Sequence, residues 1–253
     1  KQLAVAAGTP GQIGEIKLFS TADGKLQADL VRTGDSVFSV AYSPDGKKLA
    51  AAGADRAIRV YDLATGKQVL AIEDHADWVM DVAWAPDGSK LASASRDKTS
   101  KVFDAKTGDS LVTFNSHGQP VFGVGFSADG NLVITSGRDK NIRVWNTKDA
   151  KQVRAIGGFG DEVFRVVVAK DGKVYSSSAD KTARVHTVAD GKQIRSLAGH
   201  KDWVYSVAVS ADSKLIATGS YDGEIRIWNA ADGKGTVTFI AAPGYKAPQT
   251  AAA

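Results

Sequence analysis

Two sets of polar residues have the residue types and spacing of a catalytic apparatus. Each set contains an imidazole, a hydroxyl, a carboxylate and an indole: His117, Thr135, Asp139 and Trp145 in the first, and His200, Thr218, Asp222 and Trp228 in the second. A hydroxyl activated by an imidazole that a carboxylate orients is the arrangement of Ser/Thr–His–Asp catalysis. An enzyme, however, rarely needs one catalytic set per repeat. The recurrence therefore favours a structural role, and we expect no catalytic residue among these positions.

Two further units carry altered versions of the set. His75, Ser93 and Asp97 recur at the same spacing, but Phe103 takes the place of the indole. In the other unit His186 occupies the ring position and Phe159 replaces the histidine. A lone imidazole is a poor candidate for a metal ligand when no second ligand lies at a recognisable spacing. The chain also has no cysteine, no glycine-rich phosphate loop and no Gly-x-Ser-x-Gly motif. We therefore predict neither a metal nor a cofactor.

These positions belong to a repeat of about 42 residues. Turn aspartates at intervals of 42, 42, 42 and 41 residues define it: Asp45, Asp87, Asp129, Asp171 and Asp212. A second aspartate follows ten or nine residues later, and a bulky ring six residues after that: Tyr61, Phe103, Trp145, His186 and Trp228. Self-similarity at this period is typical of propellers and solenoids.

Within one repeat the sequence predicts four short strands. Val79–Trp84 runs into a Pro-Asp-Gly turn, and 91–95, 99–103 and 110–114 follow, separated by Gly and Asp. No 3.6-residue apolar period is sustained over ten positions, so no long helix is expected. Four antiparallel strands in about 42 residues predict a propeller blade. We expect an all-β propeller with the innermost strands at Val37–Tyr42, Val79–Trp84, Val121–Phe126, Val163–Val168 and Val204–Val209.

The chain resembles the WD-repeat propeller family over nearly its whole length. The Gly-His dipeptide of that family is intact at Gly199-His200, and its Trp-Asp ending is present in modified form, as in Phe103-Asp104 and Trp228-Asn229. The resemblance implies that the histidine, aspartate, hydroxyl and indole form a structural hydrogen-bond relay. Its role would be to satisfy buried polar groups, each of which costs about 1–3 kcal/mol when left unpaired.

The repeats predict one domain, residues 1–241, with six blades. Their approximate bounds are 1–32, 33–74, 75–116, 117–157, 158–198 and 199–241, called blades one to six below. By the spacing, the innermost strand of blade one would precede Lys1. We therefore expect an incomplete first blade, and a seven-bladed ring in which upstream segments of a parent chain supply the rest; six blades closed by an outside strand are the alternative. The Pro- and Ala-rich residues 242–253 are expected to form a tail or linker.

Composition excludes several classes of partner. Thirty-two basic and 28 acidic residues leave a net charge of +4 spread along the chain. Binding of nucleic acid would need a concentrated basic patch, so none is expected. No apolar run approaches the ~18 residues of a membrane helix, so no membrane insertion is expected.

The resemblance implies that two residues per blade lie exposed at one mouth of the ring. In this sequence those positions include Trp78, Arg96, Arg138, Trp203 and Tyr221. Aromatic residues and arginine dominate binding hot spots. We expect them to bind a protein or peptide partner, with the arginines pairing with acidic side chains.

The sequence therefore favours a non-catalytic interaction scaffold. The alternative is an accessory propeller of a larger enzyme or electron-transfer protein whose catalytic part lies upstream of residue 1. A third hypothesis is an enzyme in the central channel, where Asp81 and Arg165 are the charged residues near the middle of the inner strands. Their opposite signs instead suggest a salt bridge or a solvated lining.

Overall fold

A computed structural model describes residues 1–115 and 117–241 as 23 strands in six antiparallel sheets. The predicted tail at 242–253 lies outside the described residues. Within those ranges the chain has no α-helix. It follows that no described helix could cross a membrane. The all-β prediction is confirmed, and the sheets succeed one another as the blades of a propeller around a central channel.

Each of blades two to six begins with the strand nearest the channel. These inner strands are β4 (Val37–Tyr42), β8 (Val79–Trp84), β12 (Val121–Phe126), β16 (Val163–Val168) and β20 (Val204–Val209). All five have the predicted bounds. Their repeated start at a valine reflects the alternation that places this residue in the core in every blade.

The remaining strands lie progressively further from the channel. The second strands are β1 (Gln2–Thr9), β5 (Lys48–Gly53), β9 (Lys90–Ser95), β13 (Leu132–Gly137), β17 (Lys173–Ser178) and β21 (Leu215–Ser220). The third strands are β2 (Ile13–Ser20), β6 (Ile58–Asp62), β10 (Ser100–Asp104), β14 (Ile142–Asn146), β18 (Thr182–Thr187) and β22 (Glu224–Asn229). The outer strands are β3 (Leu26–Thr33), β7 (Gln68–Ile72), β11 (Ser110–Phe114), β15 (Gln152–Ile156), β19 (Gln193–Ala198) and β23 (Gly235–Ile240).

Blade one has three strands, in the order β1-β2-β3, whereas the other five blades have four. Its register identifies the strand that it lacks. Leu3 of β1 pairs with Phe19 of β2, just as Leu49 of β5 pairs with Tyr61 of β6. Strand β1 is therefore a second strand, and the predicted incompleteness of the first blade is confirmed.

The acidic turns between inner and second strands are held by their own aspartates. In blade two, Ser43 Oγ donates to Asp45 Oδ1 at 2.6 Å, and the amide of Lys47 donates to the same oxygen at 3.0 Å. Gly46 has a φ of 70°, a left-handed conformation that glycine adopts without a steric cost. The recurring Asp-Gly pair therefore fixes the reversal of the chain at the end of the inner strand.

The hydrophobic core is divided among the spaces between blades. Five clusters join blade one to two, two to three, three to four, four to five, and five to six. An isolated blade would expose both of its faces, so this packing is what stabilises each sheet. The same packing fixes the loops that project at either end of the channel.

Candidate functional site

Every inner strand carries a β-bulge at the same place. The pairing with the second strand shifts just after the first valine, between Val37 and Ser39 in blade two and at the matching positions of the other four blades. The bulged residues are Phe38, Met80, Phe122, Phe164 and Tyr205. A bulge re-aims the side chain of its extra residue. The bulges thus present one large apolar side chain per blade at the end of the channel where the inner strands begin, called the upper mouth below.

This set was missed in the sequence analysis, although a signal for it exists. The bulged residues directly follow the valine of each inner strand and recur at the 42-residue period. Neighbouring rings are close in space, with 5.9 Å between the centroids of Phe122 and Phe164 and 4.6 Å between those of Phe164 and Tyr205. The contact between successive blades shows that the bulges lie at one end of the channel.

Trp78 and Arg96 come together at the upper mouth. The guanidinium carbon of Arg96 lies 4.7 Å from the centroid of the Trp78 ring, and Arg96 Nε lies 3.6 Å from Asp77 Oδ2. The other neighbour of the indole is Phe38, with centroids 5.4 Å apart. Trp78 is therefore half-buried between two blades, whereas Arg96 is exposed.

Trp203 and Tyr221 also come together, in a larger group that we call the aromatic cluster: Phe164, Trp203, Tyr205 and Tyr221. The centroids of Trp203, Tyr205 and Tyr221 are 5.8–6.1 Å apart, with rings inclined by 45–67°. These three residues are 43%, 41% and 46% exposed. Burial raises the pKa of Tyr205, as do its neighbours Tyr221, Asp202 and Glu162. Its hydroxyl therefore stays protonated at neutral pH and remains available as a hydrogen-bond donor.

Arg138 lies between these groups and has a partner of its own. Its Nε is 2.7 Å from Glu162 Oε1, and its side chain is 59% exposed. Nearby, Lys140 Nζ lies 3.6 Å from Asp161 Oδ1. The residues proposed for binding thus comprise two aromatic groups and two arginines, Arg96 and Arg138, each of which lies near a carboxylate.

Asp81 and Arg165 face one another across the channel. A cavity of about 710 Å³ in the channel is lined by the inner strands of blades two to five and the turns that follow them. Asp81 accepts hydrogen bonds from Ser39 Oγ at 2.6 Å and from the amide of Val124 at 3.1 Å. Arg165 Nη1 lies 4.0 Å from Asp81 Oδ1. This carboxylate therefore connects three neighbouring inner strands, and of the two expected alternatives, a salt bridge or a solvated lining, Asp81 and Arg165 form the salt bridge.

In blade three the loop histidine contacts both polar partners of its set. His75 Nδ1 lies 2.7 Å from Asp97 Oδ2, and His75 Nε2 lies 2.7 Å from Ser93 Oγ. Burial alone would raise the pKa of Asp97, but hydrogen bonds from His75 and Thr99 outweigh it and hold the pKa well below its usual range. The ionised aspartate thus fixes the orientation of an imidazole that is 7% exposed.

In blade four the relay stops before the indole. His117 Nδ1 lies 3.0 Å from Asp139 Oδ1, and its Nε2 lies 2.6 Å from Thr135 Oγ1. Trp145 Nε1, however, meets no hydrogen-bond acceptor among the described residues. Its ring stacks on Phe114 instead, with centroids 5.0 Å apart and planes inclined by 6°. The expectation that this indole joins the relay was wrong, because stacking rather than hydrogen bonding sets its orientation.

In blade six the indole joins and the aspartate does not. Trp228 Nε1 donates to Thr218 Oγ1 at 2.8 Å, and His200 Nε2 lies 2.7 Å from the same oxygen. The carboxylate nearest His200 Nδ1 is that of Glu224, at 3.3 Å. Asp222 accepts instead from the amide of Glu224. The predicted contact between His200 and Asp222 is therefore absent, because Glu224 approaches the imidazole first.

The comparisons with known proteins agree with this architecture. The family model of the WD40 repeat (WD domain, G-beta repeat) matches residues 21–62, 66–104, 108–146 and 191–229, which is more than half of the chain. The chain belongs to the WD40 repeat family. A search of curated proteins found no match. WD40 propellers are typically non-catalytic scaffolds that bind proteins or peptides, and the predicted family is confirmed.

The part of the chain between the last two WD40 matches, 147–190, contains most of blade five and its altered relay. His186 is 2% exposed, and its Nδ1 has no hydrogen-bond partner in the described chain. Burial, with Arg184 nearby, lowers the pKa of His186 to about 4. Phe159 replaces the loop histidine and packs under the Arg184 guanidinium, 4.4 Å from its ring centroid. Within the described residues no group of three or more His, Cys, Asp or Glu side chains is placed to hold a metal.

Proposed function

We propose that this propeller is a non-catalytic interaction module that binds a protein or peptide segment at its upper mouth. The observation that carries the proposal is the aromatic cluster, in which Trp203, Tyr205 and Tyr221 are each more than two-fifths exposed. Aromatic rings offer a large contact area with few rotatable bonds, so they lose little entropy on binding. A contiguous group of them on loops held by rigid sheets favours recognition of a partner.

The chemistry of the partner follows from what surrounds the cluster. An apolar or aromatic side chain of the ligand fits against Trp203 and Tyr221, with the Tyr205 hydroxyl beside it as a donor. Arg96 supplies a planar cationic group stacked on Trp78, which suits a carboxylate of the ligand. A ligand carboxylate would compete with Asp77 at Arg96 and with Glu162 at Arg138, where the existing ion pair is shorter, so Arg138 contributes less. We therefore propose an extended segment with an apolar anchor and an acidic residue.

The relay residues support a structural role rather than a catalytic one. His75, His117 and His200 are 7%, 3% and 6% exposed, so a substrate could not reach them without opening a blade. Their ring nitrogens face side chains of their own blades. We propose that these residues fix the loops from which the upper mouth is built.

Selection of ligands from a random peptide library, followed by affinity measurements, tests the proposal. The selected peptides should bind the Trp203→Ala/Tyr221→Ala variant at least tenfold more weakly, a loss of about 1.4 kcal/mol or more. The matched control is Leu111→Ala, which removes an apolar side chain that is 48% exposed on an outer strand. If the control weakens binding and the double variant does not, the binding surface is not the upper mouth.

A further inference from the structure

The channel cavity extends from the middle of the inner strands to the end of the channel opposite the upper mouth, called the lower mouth below. Its lining begins at Asp81 and Arg165 and reaches the turns that follow the inner strands, which contribute Pro44, Pro86 and Lys170. Its volume of about 710 Å³ lies within the ~300–1,000 Å³ that is usual for small-molecule pockets. The cavity is therefore large enough to hold a small ligand.

Arg165 offers unused hydrogen-bond donors to this cavity. Its Nη1 lies 4.0 Å from Asp81 Oδ1, a separation longer than a hydrogen bond. The side chain is 42% exposed, and its guanidinium donates no hydrogen bond within residues 1–115 and 117–241. A guanidinium carries five N–H donors in a planar fork that matches a carboxylate. Arg165 can therefore pair with an anion that enters the cavity.

Asp81 does not need Arg165 as a hydrogen-bond donor. Its Oδ1 accepts from Ser39 Oγ at 2.6 Å and from the amide of Val82 at 3.0 Å. Its Oδ2 accepts from the amide of Val124 at 3.1 Å. These three donors satisfy a carboxylate whose side chain is only 4% exposed. Pairing of Arg165 with a ligand would therefore not leave a buried carboxylate without hydrogen bonds.

Positive charge predominates in the lining of the cavity. Besides Arg165, the lining contains Lys170, which is exposed and forms no ion pair in the part of the chain that the structure describes. Asp81 is the one carboxylate among the described lining residues. Two cationic side chains and one carboxylate leave a net charge of +1. This charge favours a ligand with a single negative charge.

The rest of the lining is largely apolar. It includes Trp84, Phe126 and Val168, the last residues of their inner strands. Trp84 Nε1 donates to the carbonyl of Ala41 at 3.0 Å, so the indole is held against the neighbouring blade. Apolar walls with a few convergent polar groups are typical of sites that bind small organic molecules. In this cavity the guanidinium lies at the inner end, and the apolar surface lies between it and the lower mouth.

We propose that the channel cavity binds a small organic acid with an apolar body. The carboxylate of the acid pairs with the Arg165 guanidinium, and its apolar body lies against Trp84 and Phe126 towards the lower mouth. This proposal does not depend on the binding role of the upper mouth, because Arg96, Trp203 and Tyr221 do not line the cavity.

Other classes of ligand fit this chemistry less well. A metal cation would meet a single carboxylate whose oxygens already accept hydrogen bonds, and Arg165 and Lys170 would repel it. A neutral apolar molecule would fill the cavity but would leave the guanidinium without an acceptor. An organic acid satisfies both the positive charge and the apolar wall.

Isothermal titration calorimetry with 4-phenylbutanoate and octanoate tests the proposal. Each acid is compared with its own amide, which has nearly the same shape and no charge. The acids should bind at one site, and the amides should bind at least roughly tenfold more weakly, because hydrogen bonds to a charged group are stronger. If the amides bind as tightly as the acids, or if neither acid binds at about 10 mM, the proposal is wrong. Tighter binding of a tetrapeptide through a C-terminal phenylalanine would identify a chain terminus as the ligand and would also overturn it.

Variants of the two cations locate the site. Arg165→Met nearly keeps the length of the side chain and removes its charge, so the acids should bind at least roughly tenfold more weakly while the amides bind as before. Lys170→Met should weaken binding of the acids only about threefold, because solvent screens an exposed cation. The matched control is Lys106→Met, which removes a charge from an exposed turn outside the cavity and should change neither affinity. Unchanged binding of the acids to the Arg165→Met variant would contradict the proposed pairing.

A measurement on the unmodified chain keeps the proposal testable if the Arg165→Met variant misfolds. Phenylglyoxal modifies accessible arginine side chains, and peptide mapping by mass spectrometry gives the rate at each position. With 4-phenylbutanoate at about ten times its Kd, modification of Arg165 should slow roughly tenfold, because most of the protein is then occupied. Modification of Arg56, in an exposed turn of blade two outside the cavity, should not change. Equal rates at Arg165 with and without the acid would overturn the proposal.

Discussion

Blade three and blade five have the same four strands but different polar interiors. In blade three, His75 contacts both Asp97 and Ser93, whereas in blade five the loop position is Phe159 and the imidazole has moved to His186. Both blades nevertheless bury five of the six residues of their second strands. We infer that packing between blades forms the sheet and that the relay adds stability to a sheet already formed.

In blade five, an arginine contacts both the aspartate and the loop. Arg184 Nη2 lies 2.7 Å from Asp180 Oδ2, and its Nη1 donates to the carbonyl of Gly158 at 2.8 Å. The guanidinium also covers the Phe159 ring. An ion pair and a cation–π contact thus connect the same loop and strand that the histidine connects in blade three.

The largest effect should come from the buried ring itself. Phe103 is 0% exposed, so Phe103→Ala should lower the free energy of unfolding by about 3–5 kcal/mol through lost burial and a cavity. His186→Ala removes a smaller ring with an unsatisfied nitrogen and should cost clearly less. Urea titrations of the two variants measure the difference. An equal loss in both variants would show that the phenyl ring of Phe103 and the imidazole of His186 contribute the same free energy to stability.

The relay should give the next largest effect. Ser93→Ala leaves the buried His75 Nε2 without a partner and should cost about 1–3 kcal/mol. Its matched control is Ser176→Ala at the corresponding position of blade five, where, within residues 1–115 and 117–241, Ser176 Oγ hydrogen-bonds only to the Arg184 carbonyl, at 3.4 Å. That variant should lose less than about 1 kcal/mol. Equal losses in urea titrations would contradict a stabilising role for the histidine.

The sequence predicted the strands well because the 42-residue period and the turn chemistry agree with one another. Each inner strand begins at a buried valine and ends before an Asp-centred turn. Because side chains alternate between the two faces of a strand, only one register buries the valine and also places the turn at the end of the strand. For the relay, the expectation came from the family resemblance, and in blade three His75 contacts both Asp97 and Ser93.

The finer contacts were not predictable because they depend on competition between similar side chains. Asp222 and Glu224 both lie near His200, and the longer Glu224 reaches it while also pairing with Arg226. Trp145 could donate to Thr135 or stack on Phe114, and the structure shows the stacked arrangement. Spacing alone does not rank such alternatives. The bulged residues were missed because a bulge changes the pairing without changing the repeat.

The pH dependence of the free energy of unfolding should also distinguish blade five from blade three. The pKa of His186 is lowered from 6.5 to about 4 in the folded protein, so below pH 6.5 the unfolded chain binds the proton more readily. Stability should therefore fall as the pH drops from about 6.5 towards 4, with a contribution of about 1–2 kcal/mol between pH 6.5 and 5. His186→Phe should remove this contribution. A variant whose urea midpoint falls as steeply as that of the unmodified protein over this range would contradict the assignment.

The smallest expected effect concerns the contact that replaces the relay. Phe159→Leu keeps an apolar side chain at a position that is 6% exposed but removes the ring beneath Arg184, so it should cost about 0.5–1 kcal/mol. Its control is Arg184→Lys, which retains the charge near Asp180 and removes the planar group that stacks on the ring. If the stacking contributes, the double variant should lose less free energy of unfolding than the sum of the losses in the two single variants. A double-mutant cycle measures this difference. Strictly additive losses would mean that Phe159 acts by burial alone and that blade five has no counterpart to the His75 relay.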